Sequence, residues 1–225
     1  MDARLTAVRR LISGVGVVVD VGCDHALLAV DLARSGIGVI ASDVREGPVD
    51  AARRRVSASG LEAVIDVRLG DGLQVVTSAE QAAVSDVVIA GMGGETIAAI
   101  LQDALWVCDG RIQLILQPMT RAAELRRWLF SHGFALVQEC CVVDGQYVYS
   151  VMRAVFSDHV EWREVDCWLG KIPQDETGAA YRRRQVNVLQ KQLRGAVGAE
   201  QVRLSVIIDE IRQAMGEFTT KEDIR

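Results

Sequence analysis

The stretches of this sequence able to do chemistry are short. They are Asp20-Val21-Gly22-Cys23-Asp24-His25, Asp43, Gly70-Asp71-Gly72, Ala90-Gly91-Met92-Gly93-Gly94 and Gln117-Pro118. Gly22 allows backbone to come close to a ligand. Asp43 stands 21 positions beyond it, the offset at which an acid ending a second strand accepts hydrogen bonds from ribose hydroxyls of an adenosine-containing cofactor. Asp71 is placed to accept from an adenine amino group, with Gly72 keeping the turn open. Asp20, Asp43 and Asp71 each also read as ordinary turn or cap aspartates. Their joint occurrence at three strand ends favours a cofactor site formed with Gly22, Gly72, Ala90, Gly91 and Met92.

Several familiar chemistries are absent. No G-x-G-x-x-G occurs, which counts against a nicotinamide cofactor and its pyrophosphate. The glycine loop from Gly91 to Gly94 lacks the Lys-Ser/Thr of a nucleotide-hydrolysing loop. Asn/Asp-Pro-Pro-aromatic, the motif that takes the hydrogens of an exocyclic amine in amino-methyltransferases, is also missing. Three widely spaced histidines and no C-x-x-C pair leave no zinc site to expect.

The elements that must position these residues follow from apolar runs of strand length alternating with helix-period segments. Strands are expected at Val17–Gly22, Val39–Asp43, Val64–Leu69, Asp86–Gly91 and Ile112–Leu116. The runs do not alternate with polar residues, as strands buried on both faces require. Helices between them give a parallel sheet with right-handed crossovers. Pro48 is expected to open the third helix and Gly60 to cap it. After a helix at 121–131 come two long runs, Phe134–Val143 and Gln146–Phe156, joined by Asp144-Gly145, a strong signal for a tight hairpin. Five parallel units ending in an antiparallel hairpin suit an S-adenosylmethionine-dependent methyltransferase rather than a dinucleotide dehydrogenase. The expected fold is α/β: a Rossmann-like, mostly parallel seven-stranded sheet in residues 1–156. Residues 157–225 read as a C-terminal helical hairpin of coiled-coil character, with apolar stripes from Leu189 and Leu193 and from Val202, Val206, Ile207 and Ile211. Trp162 and Trp168 read as packing core.

Half the 225 residues are hydrophobic and the formal charge is −5, which excludes a disordered chain and a uniformly basic nucleic-acid binder. The charge is uneven. Residues 157–225 carry 11 basic and 12 acidic side chains, yet Arg182, Arg183, Arg184, Lys191 and Arg194 share a stretch, 177–199, with no acid. That segment is either a phosphate-binding patch or a solvated helix face. Five cysteines without a paired pattern fit reduced thiols in a cytoplasmic protein. The N-terminal segment, with Leu5, Val8, Leu11 and Ile12 set against Arg4, Arg9 and Arg10, is an amphipathic helix rather than a signal peptide. No apolar run approaches a membrane span.

Together, Asp20-Val21-Gly22-Cys23-Asp24-His25-Ala26, Gly70-Asp71-Gly72-Leu73, Ala90-Gly91-Met92-Gly93-Gly94 and Leu116-Gln117-Pro118 resemble the bacterial TrmK family, tRNA adenine N1-methyltransferases acting on position 22. The resemblance runs from about Leu5 to Phe156, including Arg127-Trp128-Leu129 and Gly145-Gln146-Tyr147. Beyond Phe156 it is one of character, and Leu169-Gly170-Lys171-Ile172-Pro173 departs from the family's Leu-Gly-Pro. It implies S-adenosyl-L-methionine as cofactor and tRNA as partner; no metal and a monomer are also expected. Asp24 is the first choice for the catalytic carboxylate and His25 the second, against plainer readings as an N-cap and a helix-start histidine bonded to backbone. Gly93, Gly94, Gln117, Pro118, Arg182, Arg183 and Arg184 are the expected substrate contacts. Two other readings stay open: a methyltransferase for another RNA or a small molecule, and a catalytically silent RNA-binding module recruiting a partner through the helical hairpin.

Overall fold

A computed structural model describes residues 1–216; residues 217–225 of the expected C-terminal domain lie outside the described residues. The sheet contains β1 (Val17–Val21), β2 (Val39–Asp43), β3 (Ile65–Leu69), β4 (Val84–Gly93), β5 (Gln113–Thr120), β6 (Phe134–Asp144) and β7 (Tyr147–Phe156). Their order is β3-β2-β1-β4-β5-β7-β6. β1 to β5 run parallel, and β7 lies antiparallel between β5 and β6. The order reverses between β1 and β4, which opens a crevice beyond their carboxyl ends.

The continuous apolar runs are explained by cover on both faces. Along β1, Val18 joins one buried cluster and Val19 the other; Val88 and Val87, and Ile115 and Leu114, divide the same way. The first cluster is closed by α1 (Ala3–Leu11), α2 (Leu27–Arg34) and α3 (Glu46–Ala58). The second lies under α4 (Gly94–Gln102), α5 (Ala122–Ser131) and the C-terminal helices. Asp2 caps α1, its carboxylate accepting from Leu5 N at 2.8 Å. Pro48 lies in the first turn of α3, two residues inside its start at Glu46.

The hairpin turn is one residue later than the Asp144-Gly145 signal suggests. Asp144 pairs with Tyr147, so Gly145-Gln146 form the loop. Only Gly145 has positive φ, at +59°, the pattern of a two-residue turn with glycine first.

Beyond β7 the chain forms α6 (Glu164–Leu169), which its mixed sequence did not announce, then α7 (Glu176–Leu193) and α8 (Ala199–Ala214). The buried stripe of α8 is Leu204, Ile207, Ile208 and Ile211, while Val202 and Val206 are exposed. The expected stripe is thus rotated, because α8 packs against α6 as well as α7. Leu189, Leu204, Ile207 and Ile211 share one core cluster with Leu125 and Leu129 of α5. Trp168 is buried in it, and Trp162 stacks on Phe130 at 5.8 Å.

One polar knot ties this region to the sheet. The buried Arg126 guanidinium donates to Glu139 Oε1 (2.8 Å), the Cys167 carbonyl (2.9 Å), Ser150 Oγ (3.2 Å) and Tyr181 Oη (3.1 Å). Glu139 Oε2 accepts from Lys171 N. Gly170 fits only without a side chain, since a Cβ there would lie 2.1 Å from Glu139 Oε2. Burial opposes the charge of Arg126, but Glu139, with Tyr181, outweighs it and pushes the guanidinium above its ordinary pKa.

Candidate active site

A cleft of about 700 Å³ opens at the carboxyl ends of β1, β2 and β4, inside the roughly 300–1,000 Å³ range of small-molecule sites. Asp20, Gly22, Asp24, His25, Asp43, Asp71, Gly72, Ala90, Gly91, Met92 and Gln117 all line it. The expected cofactor residues and the expected catalytic pair therefore meet in one place.

Local sequence builds its inner wall. β1 ends in a loop whose alternate residues take left-handed backbone: Gly22 (φ +73°), Asp24 (+47°) and Ala26 (+52°). Gly22 and Cys23 both donate their N–H to the Ser42 carbonyl of β2 at 2.8 Å, pinning the loop to the sheet. A Cβ on Gly22 would lie 2.3 Å from Met92 Cε, so the β4 loop closes directly over the β1 loop. For non-glycine residues the left-handed conformation costs about 1–2 kcal/mol each, and here it turns Asp24 and His25 outward. Asp24 does not cap α2, which has no side-chain cap, and His25 makes no side-chain bond to backbone among the described residues. Instead His25 Nε2 lies 3.8 Å from Asp24 Oδ1, with both side chains more than half exposed. Neither plainer reading is met.

The buried acids differ in their surroundings. Asp20 has no hydrogen-bond partner among the described residues, and burial raises its carboxyl pKa to about 7. Asp43 ends β2; its Oδ1 accepts from Arg45 N (3.0 Å) and Arg45 Nε (3.3 Å). Its Oδ2 has no partner among the described residues and is free for a hydroxyl. Burial, with Asp20 and Asp43 nearby, pushes the Cys23 thiol up to about 12, which favours its protonated form. These features fit an adenosyl amino-acid cofactor: a carboxylate for ribose, a partnerless buried acid for a cation, and glycine-shaped backbone between them.

Some expected substrate contacts are placed otherwise. Gln117 is buried, and its amide is spent accepting from Gly91 N and donating to the Pro118 carbonyl, each at 3.1 Å. It holds the glycine loop rather than presenting a free amide. Gly93 and Gly94 do not line the cleft; Gly94 lets α4 begin against the Arg121 carbonyl, 2.4 Å from where its Cβ would be. Pro118 lines a neighbouring groove instead. Arg182 is the clearest correction. It is buried, its guanidinium donating to the Ile172 and Pro173 carbonyls and to Gln174 Oε1, because α7 folds back on the segment before it. Arg183 is exposed and Arg184 half-buried, so the three arginines form no common face. Arg4 and Arg45 also line the cleft. Arg45 carried a weak signal in its position two residues after Asp43. Arg4 carried none, since only the fold lays α1 beside the mouth.

A reversed strand order with a terminal antiparallel hairpin, and acids at the ends of β1 and β2 around an adenosyl-sized cleft, define an S-adenosyl-L-methionine-dependent methyltransferase. The methyltransferase-domain family matches residues 1–152. The tRNA (adenine(22)-N(1))-methyltransferase of Bacillus subtilis is 38% identical over 160 residues, 70% of this chain and 66% of that protein, so the match spans about two thirds of that relative. Among solved structures, a Streptococcus pneumoniae protein proposed as a tRNA (m1A22) methyltransferase, in complex with S-adenosyl-L-methionine, is 32% identical. It covers 96% of this chain and 99% of that one with a TM-score of 0.81. The Bacillus subtilis M1A22 tRNA methyltransferase TrmK is 28% identical, covering 96% of each chain at a TM-score of 0.74. The chain belongs to the methyltransferase-domain family and, within it, to the TrmK tRNA (adenine(22)-N(1))-methyltransferases.

Proposed function

We propose that this chain transfers a methyl group from S-adenosyl-L-methionine to N1 of adenosine 22 in tRNA. The observation that carries the reading is the pair Asp24 and His25, both more than half exposed at the cofactor cleft, with Asp24 on left-handed backbone and not capping α2. Backbone strain of this kind persists where the surroundings enforce it and concentrates at functional sites.

When bound, S-adenosyl-L-methionine supplies an electrophilic methyl group. Asp43 would hold its ribose hydroxyls, Asp71 would accept from its adenine amino group, and Asp20 would offset the ammonium of its amino-acid portion. N1 of neutral adenine already has a free lone pair, so the chain need not provide a strong base. Its task is to hold N1 in line and to offset the positive charge that develops on the ring. The Asp24 carboxylate suits that task, accepting from the target's amino group, with His25 as a donor or stacking neighbour. Met92, half-buried between the two loops, gives the base an apolar surface. A base stacked within tRNA must be extruded to reach this cleft.

We propose further that the enzyme acts as a monomer in the cytoplasm. No described helix is long and apolar enough to cross a membrane, and no metal-binding cluster occurs among the described residues. Incubation with labelled S-adenosyl-L-methionine and unmodified tRNA, followed by nucleoside mass spectrometry, is expected to yield 1-methyladenosine at position 22. Label on an exocyclic amine, or none in tRNA, would reject the proposal.

A further inference from the structure

A second groove, of about 320 Å³, lies between the end of β5, β7 and α7. It adjoins the cleft through consecutive residues: Gln117 lines the cleft, and Pro118 and Met119 line the groove. Arg4 joins them a second time. It lines the cleft, donates to Met119 Sδ at 3.1 Å, and stands 5.9 Å from the ring centre of Tyr149, which lines the groove.

The groove brings together arginine, aromatic rings and one carboxylate, Glu124. The Arg184 guanidinium lies over two aromatic rings, 5.4 Å from the centre of Tyr147 and 5.8 Å from that of Tyr149. Its one hydrogen bond is from Nη1 to the Val148 carbonyl, at 2.7 Å, and no carboxylate pairs with it among the described residues. The other cations near the cleft differ: Arg4 pairs with Asp2 and Asp144, and Arg121 with Glu95. Arg184 thus keeps its charge and most of its N–H donors unspent. Trp168, lining the same groove, has a buried indole N–H with no partner. An unpaired guanidinium suits a phosphate, and Tyr147, which stands beside the groove with its ring 6.1 Å from that of groove-lining Tyr149 and is nearly half exposed, offers a face on which a base can stack.

We propose that this groove takes the phosphate of the RNA nucleotide next to the target adenosine, on Arg184, with that nucleotide's base stacked beside the groove on Tyr147. The proposal rests on the tRNA reading and deepens it. An extruded base leaves its neighbours unstacked, and a site that restacks one of them beside the cleft offsets that cost and keeps the target in place. Of the three arginines expected to touch RNA, the groove selects Arg184, since Arg182 is spent internally.

The test uses the full chain with an unmodified tRNA substrate. Arg184→Glu is expected to weaken tRNA binding about tenfold or more and to lower the salt slope of the binding constant by about 1. S-adenosyl-L-methionine affinity should not change. Tyr147→Ala should weaken tRNA binding about tenfold with an unchanged salt slope, and Tyr147→Phe, which keeps the ring, should restore it. The tyrosine pair decides the matter even where Arg184→Glu folds poorly. Wild-type affinity in Tyr147→Ala would overturn the proposal. So would an equal loss on reversing charge at Arg34, which sits on α2 and lines neither cavity. Failure of the wild type to methylate tRNA would instead strike the function proposed above, and is read separately by the nucleoside mass spectrometry described there.

Discussion

Replacing Asp20 by Asn should stabilise the ligand-free protein at neutral and alkaline pH while weakening its hold on the cofactor. Burial raises the Asp20 carboxyl from 3.8 to about 7. In the unfolded chain the group ionises near 3.8, so between these values the folded protein keeps a proton the unfolded chain has lost. Stability contributed by that proton is full below pH 3.8 and is lost as pH rises toward 7. At about 1.36 kcal/mol per pH unit, the loss approaches roughly 4 kcal/mol above pH 7, an upper bound because water enters the cleft. Asn carries no charge and escapes it. Urea unfolding of both proteins should give nearly equal stabilities near pH 4 and a widening advantage for Asp20→Asn, about 2–4 kcal/mol by pH 8. Cofactor binding should reverse the order, since a ligand ammonium favours the carboxylate. Calorimetry at pH 6 in buffers of different ionisation enthalpy should show up to about one proton released by the wild type and none by the variant. Parallel stability curves, or a variant less stable at pH 8, would refute the reasoning.

Asp24→Asn preserves the left-handed backbone, which Asn tolerates, and removes only the charge. It should lower kcat about 10²–10³-fold with cofactor affinity and folding unchanged; an unchanged kcat would remove Asp24 from the reaction. Gly22→Ala forces a Cβ to within 2.3 Å of Met92 Cε at φ +73°. Its cofactor affinity, measured by calorimetry, should fall about 5- to 30-fold, for a strain of about 1–2 kcal/mol. Adding Met92→Ala should restore the part due to the clash and leave the part due to backbone. Arg126→Met strands Glu139 without its partner and should cost about 3–5 kcal/mol in urea unfolding, most of it recovered by adding Glu139→Gln.

Sequence carried the sheet well because its signal is local. Strands buried on two faces need unbroken Val/Ile/Leu runs, and β2 begins and ends where its run does. The acids at the ends of β1 and β2 were legible because their positions follow from those strands. What sequence hid depends on partners distant in the chain. Arg182 looks like its neighbours until α7 folds back onto Pro173. Gln117 resembles a free amide until Gly91 N takes its oxygen. Val202 and Val206 fit a helical stripe as well as Leu204 and Ile208 do, and only packing against α6 chooses between them. The groove beside Arg184 joins residues from β5, β7 and α7, so no single window could show it.

The Arg126 knot has a consequence for how substrate is selected. One guanidinium reaches β6, β7, α7 and the carbonyl of Cys167, so α7 is fastened to the sheet rather than hung from it by a tether. A tethered arm raises local concentration but searches many orientations. A clamped arm works as a gauge, presenting its side chains at a fixed distance and angle from the transferring centre. If RNA docks on Arg184 as proposed, discrimination would come from substrate shape: an RNA whose bend does not match the span from cleft to α7 could touch one end only. Changes of substrate preference should then arise less by exchanging single contact residues than by altering the residues around Glu139 and Gly170 that set the angle.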